Sequence, residues 1–159
     1  MKKFVSFIAL GLLALAPVVR GSAAVQYGLS VSSNDAKRIL AAAEAEAVKN
    51  QWNMVIVILD TGGHLVAFLR MDGAPLASVD IAQGKAYTAV AFGRPSKSFQ
   101  DSLATGGENL RILKLPGVTP AEGGLPLIVE GKVIGSIGVS GATSAQDAQV
   151  GAAGAAVLK

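Results

Sequence analysis

A single histidine, His64, stands in the stretch LDTGGHLVAFLRMDGA at residues 59–74. An imidazole can move a proton near neutral pH or ligate a metal or haem iron. Arg70, Met71 and Asp72 close the same stretch, and Lys85 follows in GKAYTA. An arginine fork, a loop carboxylate and a lysine lining one pocket would hold a carboxylate ligand and could transfer a proton beside it. The same charges would equally form an ion-pair network that pins one element to the next. Residue types leave both readings open. They also leave His64 as either a ligand or a partly solvated residue at a strand edge.

Other chemistries are excluded more firmly. The chain has no cysteine. This removes thiol catalysis, iron–sulfur ligation and covalent c-type haem attachment. With one histidine as well, a structural zinc site is out. Glu108, Glu122 and Asp147 offer carboxylates but no favourable spacing, so no metal is expected. The serines of GSIGVSG (135–141) fall at the wrong offsets for a nucleophile elbow. The run GSIGVSGAT lacks phosphate-loop and dinucleotide spacing. Its glycines read as room for the last helix to pack, although free N–H groups there could hold an anion. A flat cofactor such as haem needs an apolar slot and one axial donor. His64 is the best donor by chemistry, and Met54, Met71, Tyr27 and Tyr87 are the alternatives. No residue is assigned a catalytic role.

These residues must be carried by a chain of 159 residues that is 51% hydrophobic, enough for one domain with one core. Residues 1–24 read as a signal peptide. Two lysines precede an apolar run at residues 4–16, and small residues follow at 21–24. Residues 25–159 then form a single domain, exported to the periplasm or secreted, with no stable membrane span after cleavage. Lys2, Lys3 and Arg20 leave with the leader. Taking these three from 14 basic residues leaves eleven against 11 acidic ones. That neutral balance, without a basic stripe, argues against nucleic acid.

Ser32 to Asp35 reads as a helix start, and Ile39, Leu40, Ala43 and Ala47 recur at helical spacing to about Asn50. MVIVILD (54–60) reads as a strand buried on both faces. Thr61-Gly62-Gly63 turns the chain into a return strand at 64–70. Period two places His64, Val66, Phe68 and Arg70 on one face. Ser78 is the expected cap of a helix to about Phe92, and residues 96–104 a short helix. Residues 107–122 read as a loop. A second hairpin turns at Glu130-Gly131, with Gly135 and Gly138 inside its returning strand. Ser144 and Asp147 resemble a capping box before an Ala/Gly-rich last helix. The expected fold class is α/β (α+β), a central antiparallel sheet of two hairpins flanked by helices.

The stretches LDTGGHLVAFLRMDGAPLAS, GKAYTA and GGLPLIVEGKVIGSIGVSGAT, with Asp147 downstream, resemble the GlcG/HbpS family over about residues 30–158. This is the haem-degrading domain family, which also supplies the C-terminal domain of PduO-type proteins. Arg70, Met71, Asp72, Gly73, Lys85, Thr88, Gly124 and Pro126 match its motif. The resemblance implies a three-layer profilin-like domain and homo-oligomers, commonly octamers. It implies haem as cofactor, in haem handling or redox sensing. On that reading the single histidine, His64, is the preferred axial donor, with Arg70 or Lys85 near the propionates. Two alternatives stand beside it. One is a small oligomeric enzyme that binds a carboxylate metabolite through Arg70 or Lys85 and moves a proton with Asp72 or His64. The other is a non-catalytic assembly module. Whether the chain is an enzyme stays open.

Overall fold

A computed structural model describes residues 24–158. The expected leader falls on residues outside these, apart from Ala24. In chain order the elements are α1 (Ser33–Lys49), β1 (Val55–Leu59), β2 (Leu65–Arg70), α2 (Ser78–Phe92), α3 (Lys97–Ala104), a 3-10 segment (Gly107–Lys114), β3 (Gly124–Val129), β4 (Lys132–Ser140), α4 (Ser144–Ala155) and a final 3-10 turn (Ala156–Leu158). The four strands form one antiparallel sheet in the order β2-β1-β4-β3. Helices α1 and α4 cover one face and α2 the other, which makes three layers.

Strand β1 is central, and all five of its residues are buried. Ile56 and Ile58 point to α1 and α4, where Ile39, Ala43, Ile137 and Val150 meet them. Val55, Val57 and Leu59 point to Ala82, Ala86 and Val90 of α2. Each such aliphatic side chain stabilises the fold by about 1.5–3 kcal/mol on burial. Gly138 of β4 faces α2, and a Cβ there would collide with the carbonyl of Ala82 and the N–H of Ala86. The interior glycine is therefore the place where helix backbone lies directly on strand backbone.

Four local expectations change. The sheet register slips between Ile58 and Leu59, so that Ile58 pairs with Ala67 but Leu59 with Leu65. Val66 is the extra residue of a bulge, and it packs with Ala67 and Leu69 toward the α1 side. The α2 face of β2 thus carries Leu65, Phe68 and Arg70, and His64 precedes the strand. Helix α2 barely reaches β2, so Leu65 and Phe68 stay exposed. Ser78 is not a cap, because Ala77 precedes the helix without a side-chain bond and Ser78 is buried in its first turn. The capping box of α4 is formed by Thr143 and Gln146, one residue before the expected pair. Residues 107–114 form 3-10 helix rather than loop.

Candidate functional site

The turn before β2 is built around one carboxylate. Asp60 Oδ1 accepts the backbone N–H of Gly62 at 2.8 Å and of His64 at 2.9 Å. These two donors, the His64 N–H foremost, hold the Asp60 carboxyl below its ordinary range. Gly63 takes φ +79°, a conformation glycine reaches without strain. The His64 imidazole folds back over the turn, its Nδ1 3.4 Å from Asp60 Oδ1, and its side chain is 82% exposed. It is open to a ligand, and nothing but this carboxylate orients it.

Beside the turn lies a cleft of about 360 Å³, lined by Gly63, Leu65, Gln83, Tyr87, Val118 and Thr119 among others. Tyr87 is held between Gly63 and Gly117. A Cβ at either glycine would press on its ring. Thr88 Oγ1 donates to Gly84 O at 2.7 Å and accepts the Thr119 N–H at 2.8 Å, which fixes the far wall. Thr88 is therefore a brace behind the cleft.

At the other end of β2, Arg70 donates from Nη2 to Ala74 O at 2.9 Å, closing the Met71–Gly73 loop. A Cβ on Gly73, at φ +78°, would strike the Asn53 amide. Arg70, Met71 and Asp72 line a second cleft with Glu44, Asn53 and Leu69, of about 380 Å³. Arg70 and Asp72 thus line one cleft.

Lys85 does not join them. Its side chain is 2% exposed, and Nζ donates to Asp147 Oδ2 at 2.7 Å and to Val139 O at 3.1 Å. Asp147 Oδ1 accepts the Ala142 N–H at 3.1 Å. Burial pushes the Asp147 carboxyl above its ordinary range, against the pull of the Lys85 ammonium and the Ala142 N–H. Lys85 is thus corrected from a ligand-binding residue to the centre of a strut between α2, β4 and α4. The physical reason is that water, and any propionate carried in it, does not reach an ammonium buried against Asp147 and Val139 O.

Two further motif positions are structural. A Cβ on Gly124 would collide with the carbonyl of Lys85, so β3 needs glycine where it passes α2. Pro126 lies in β3, an edge strand, where a missing N–H is tolerated. Sequence reasoning missed Ser96. Its Oγ donates to Ala121 O at 2.6 Å and accepts the Gly124 N–H at 2.9 Å. A lone serine in a Pro-Ser-Lys run gives no signal of that role.

The candidate donors also sort themselves. Met54 is fully buried, Met71 Sδ lies 3.5 Å from the Met54 N–H, and Tyr27 donates its hydroxyl to Val90 O at 2.8 Å. His64 and Tyr87 remain accessible. Among the described residues no cluster of His, Asp and Glu is arranged to hold a metal ion. No described helix is long and apolar enough to cross a membrane.

Residues 31–156 match the family model described as "Haem degrading protein HbpS-like". Protein GlcG of Escherichia coli K12 is 45% identical over 111 residues, covering 69% of this chain and 81% of that protein. The crystal structure of a double mutant of HbpS from Streptomyces reticuli superposes with TM-score 0.77 at 31% identity, covering 92% of this chain and 99% of that one. A structure titled as a PduOC:heme complex superposes with TM-score 0.75 at 28% identity, covering 82% and 96%. The fold, the run of motif residues and a match across nearly all described residues agree, and the chain belongs to the HbpS-like family.

Proposed function

We propose that this chain is an exported haem-binding protein. The observation that carries the reading is its likeness to a family relative whose structure is titled as a haem complex. The residues present fit such a group. One exposed imidazole, His64, stands at one end of β2. The exposed side chains of Leu65 and Phe68 and the Arg70 guanidinium follow along the strand. Haem would be held on that face by the His64 imidazole, the apolar side chains of Leu65 and Phe68 and the Arg70 guanidinium. Bound haem would supply redox or gas-ligand chemistry. The protein's part is to hold it, orient it and limit its contact with water.

The face is open, so a flat ligand on it stays half in water unless a second copy covers it. This supports a homo-oligomer in which β2 lies near a contact. The apolar run and small residues of the leader support export, to the periplasm or beyond the cell. Haem handling and redox sensing both suit an exported haem carrier.

The cleft that joins Arg70 to Asp72 and Asn53 favours one second reading, an enzyme on a small carboxylate metabolite. In that reading Arg70 holds the acid and Asp72 or His64 moves the proton.

Haemin titration followed at the Soret band separates these. Saturable binding that shifts or disappears in His64→Ala is the expected result. Saturable binding unchanged in His64→Ala removes His64 as ligand. No saturable haemin binding, together with a rise in Tm on adding 2-hydroxy or 2-keto acids, moves the function to the Arg70 cleft.

A further inference from the structure

An apolar groove lies at the opposite edge of the sheet from His64. It measures about 400 Å³, and Leu125, Pro126 and Ile128 of β3 form one wall. Ala152 and Ala155 of α4 form the floor. Arg94, which follows the end of α2, closes it and is the one charged residue lining it among those described.

Arg94 is already placed. Its guanidinium lies over the Phe99 ring, 4.1 Å from the centroid. Phe99 is buried and is itself held edge-on by Phe92, ring centroids 4.8 Å apart. Stacking uses the face of the guanidinium and leaves the N–H donors on its edge free to pair with an anion. Among the described residues none of those donors meets a carboxylate or a carbonyl.

We infer that this groove binds an amphipathic monocarboxylate, its carboxylate paired with Arg94 and its apolar body lying between β3 and α4. Two features exclude rival occupants. Pro126 has no N–H, so a strand added to the β3 edge would lose a ladder bond at the middle of the groove. No histidine, methionine or tyrosine lines it among the described residues, and His64 lies beyond β4 and β1 at the far edge, about 14 Å across three strand spacings. A haem iron in the groove would find no axial donor in its own chain. The site is therefore separate from the haem reading and does not depend on it.

Sodium decanoate, with decan-1-ol as the uncharged probe, tests the inference by calorimetry on the whole protein. Decanoate binds saturably at one per chain, and decanol binds roughly tenfold more weakly, because it lacks the charge-assisted bonds to Arg94. Arg94→Met lowers decanoate to the decanol level and leaves decanol unchanged. Ala152→Phe, on the exposed side of α4, fills the groove and abolishes both without touching the core. Haemin bound beforehand leaves decanoate binding unaltered. Absence of saturable decanoate binding, or equal affinity in Arg94→Met, overturns the inference. Displacement of decanoate by one equivalent of haemin makes the groove a haem site instead. Loss of self-association in Ala152→Phe without any decanoate binding to the wild type gives the groove to a second copy.

Discussion

Lys85 and His64 show opposite relations between residue type and role. Each is the kind of side chain that does chemistry, yet Lys85 is enclosed and His64 stands in water. The pairing of Lys85 with Asp147 spans 62 positions in the chain, so no local spacing announces it. Removing one partner leaves the other buried and unpaired. Lys85→Met is expected to destabilise the protein by about 3 kcal/mol or more, read from the urea midpoint. At the same time it should leave haemin affinity in the folded protein within about twofold, because the ammonium reaches no cleft. A large loss of haemin binding at unchanged stability would return Lys85 to the ligand site. The chemical options at residues 59–74 were legible from the sequence. Which of them face solvent was not, because burial is a property of partners far along the chain.

Elements were legible where a pattern is strong. The continuous apolar run of β1 marks a strand covered on both sides, and the Glu130-Gly131 turn, with φ of +50° and +74°, marks its hairpin. The bulge at Val66 was not legible. Leu65 to Leu69 is apolar throughout, so no residue type marks the extra position, and period two assigns Val66 to the wrong side. The 3-10 segment at 107–114 escaped because its three-residue turn lacks the 3.6 period and it opens on glycine, Gly107 after Gly106. The cap of α4 moved by one residue because Thr143 and Ser144 are both capable caps, and Asp147 was already engaged inward. Gly138 gives the sharpest expectation at this scale. Gly138→Val would drive a branched side chain into the backbone of α2 and is expected to cost about 3 kcal/mol or more. The Tm of the purified variant against the wild type checks this, and an unchanged Tm would mean that the strand and helix backbones can part at low cost.

For the whole molecule, an antiparallel sheet flanked by helices followed from the order of elements and the three layers from the family resemblance, and the structure has both. What the order could not tell is how far α2 extends over the sheet. It covers β4, β3 and β1 and leaves the outer face of β2 bare, with Leu65 56% and Phe68 41% exposed. Apolar side chains grouped on one face mark a contact surface. If the proposed homo-oligomer uses this face, Phe68→Asp is expected to weaken its self-association at least tenfold by sedimentation, with the Tm of the separated subunit little changed. Association unaltered by Phe68→Asp would place the contact elsewhere.

The central seam of the sheet joins β1 to β4, so each hairpin borrows its middle neighbour from the other half of the chain. Between the halves lie Gly106 and Gly107, both at positive φ with open space around them. A protease cut at that point would sever the chain without parting the fold, since the seam and the Lys85–Asp147 strut both bridge the break. The two pieces are natural complements. Made separately, each would be incomplete alone and would regain its shape by meeting the other.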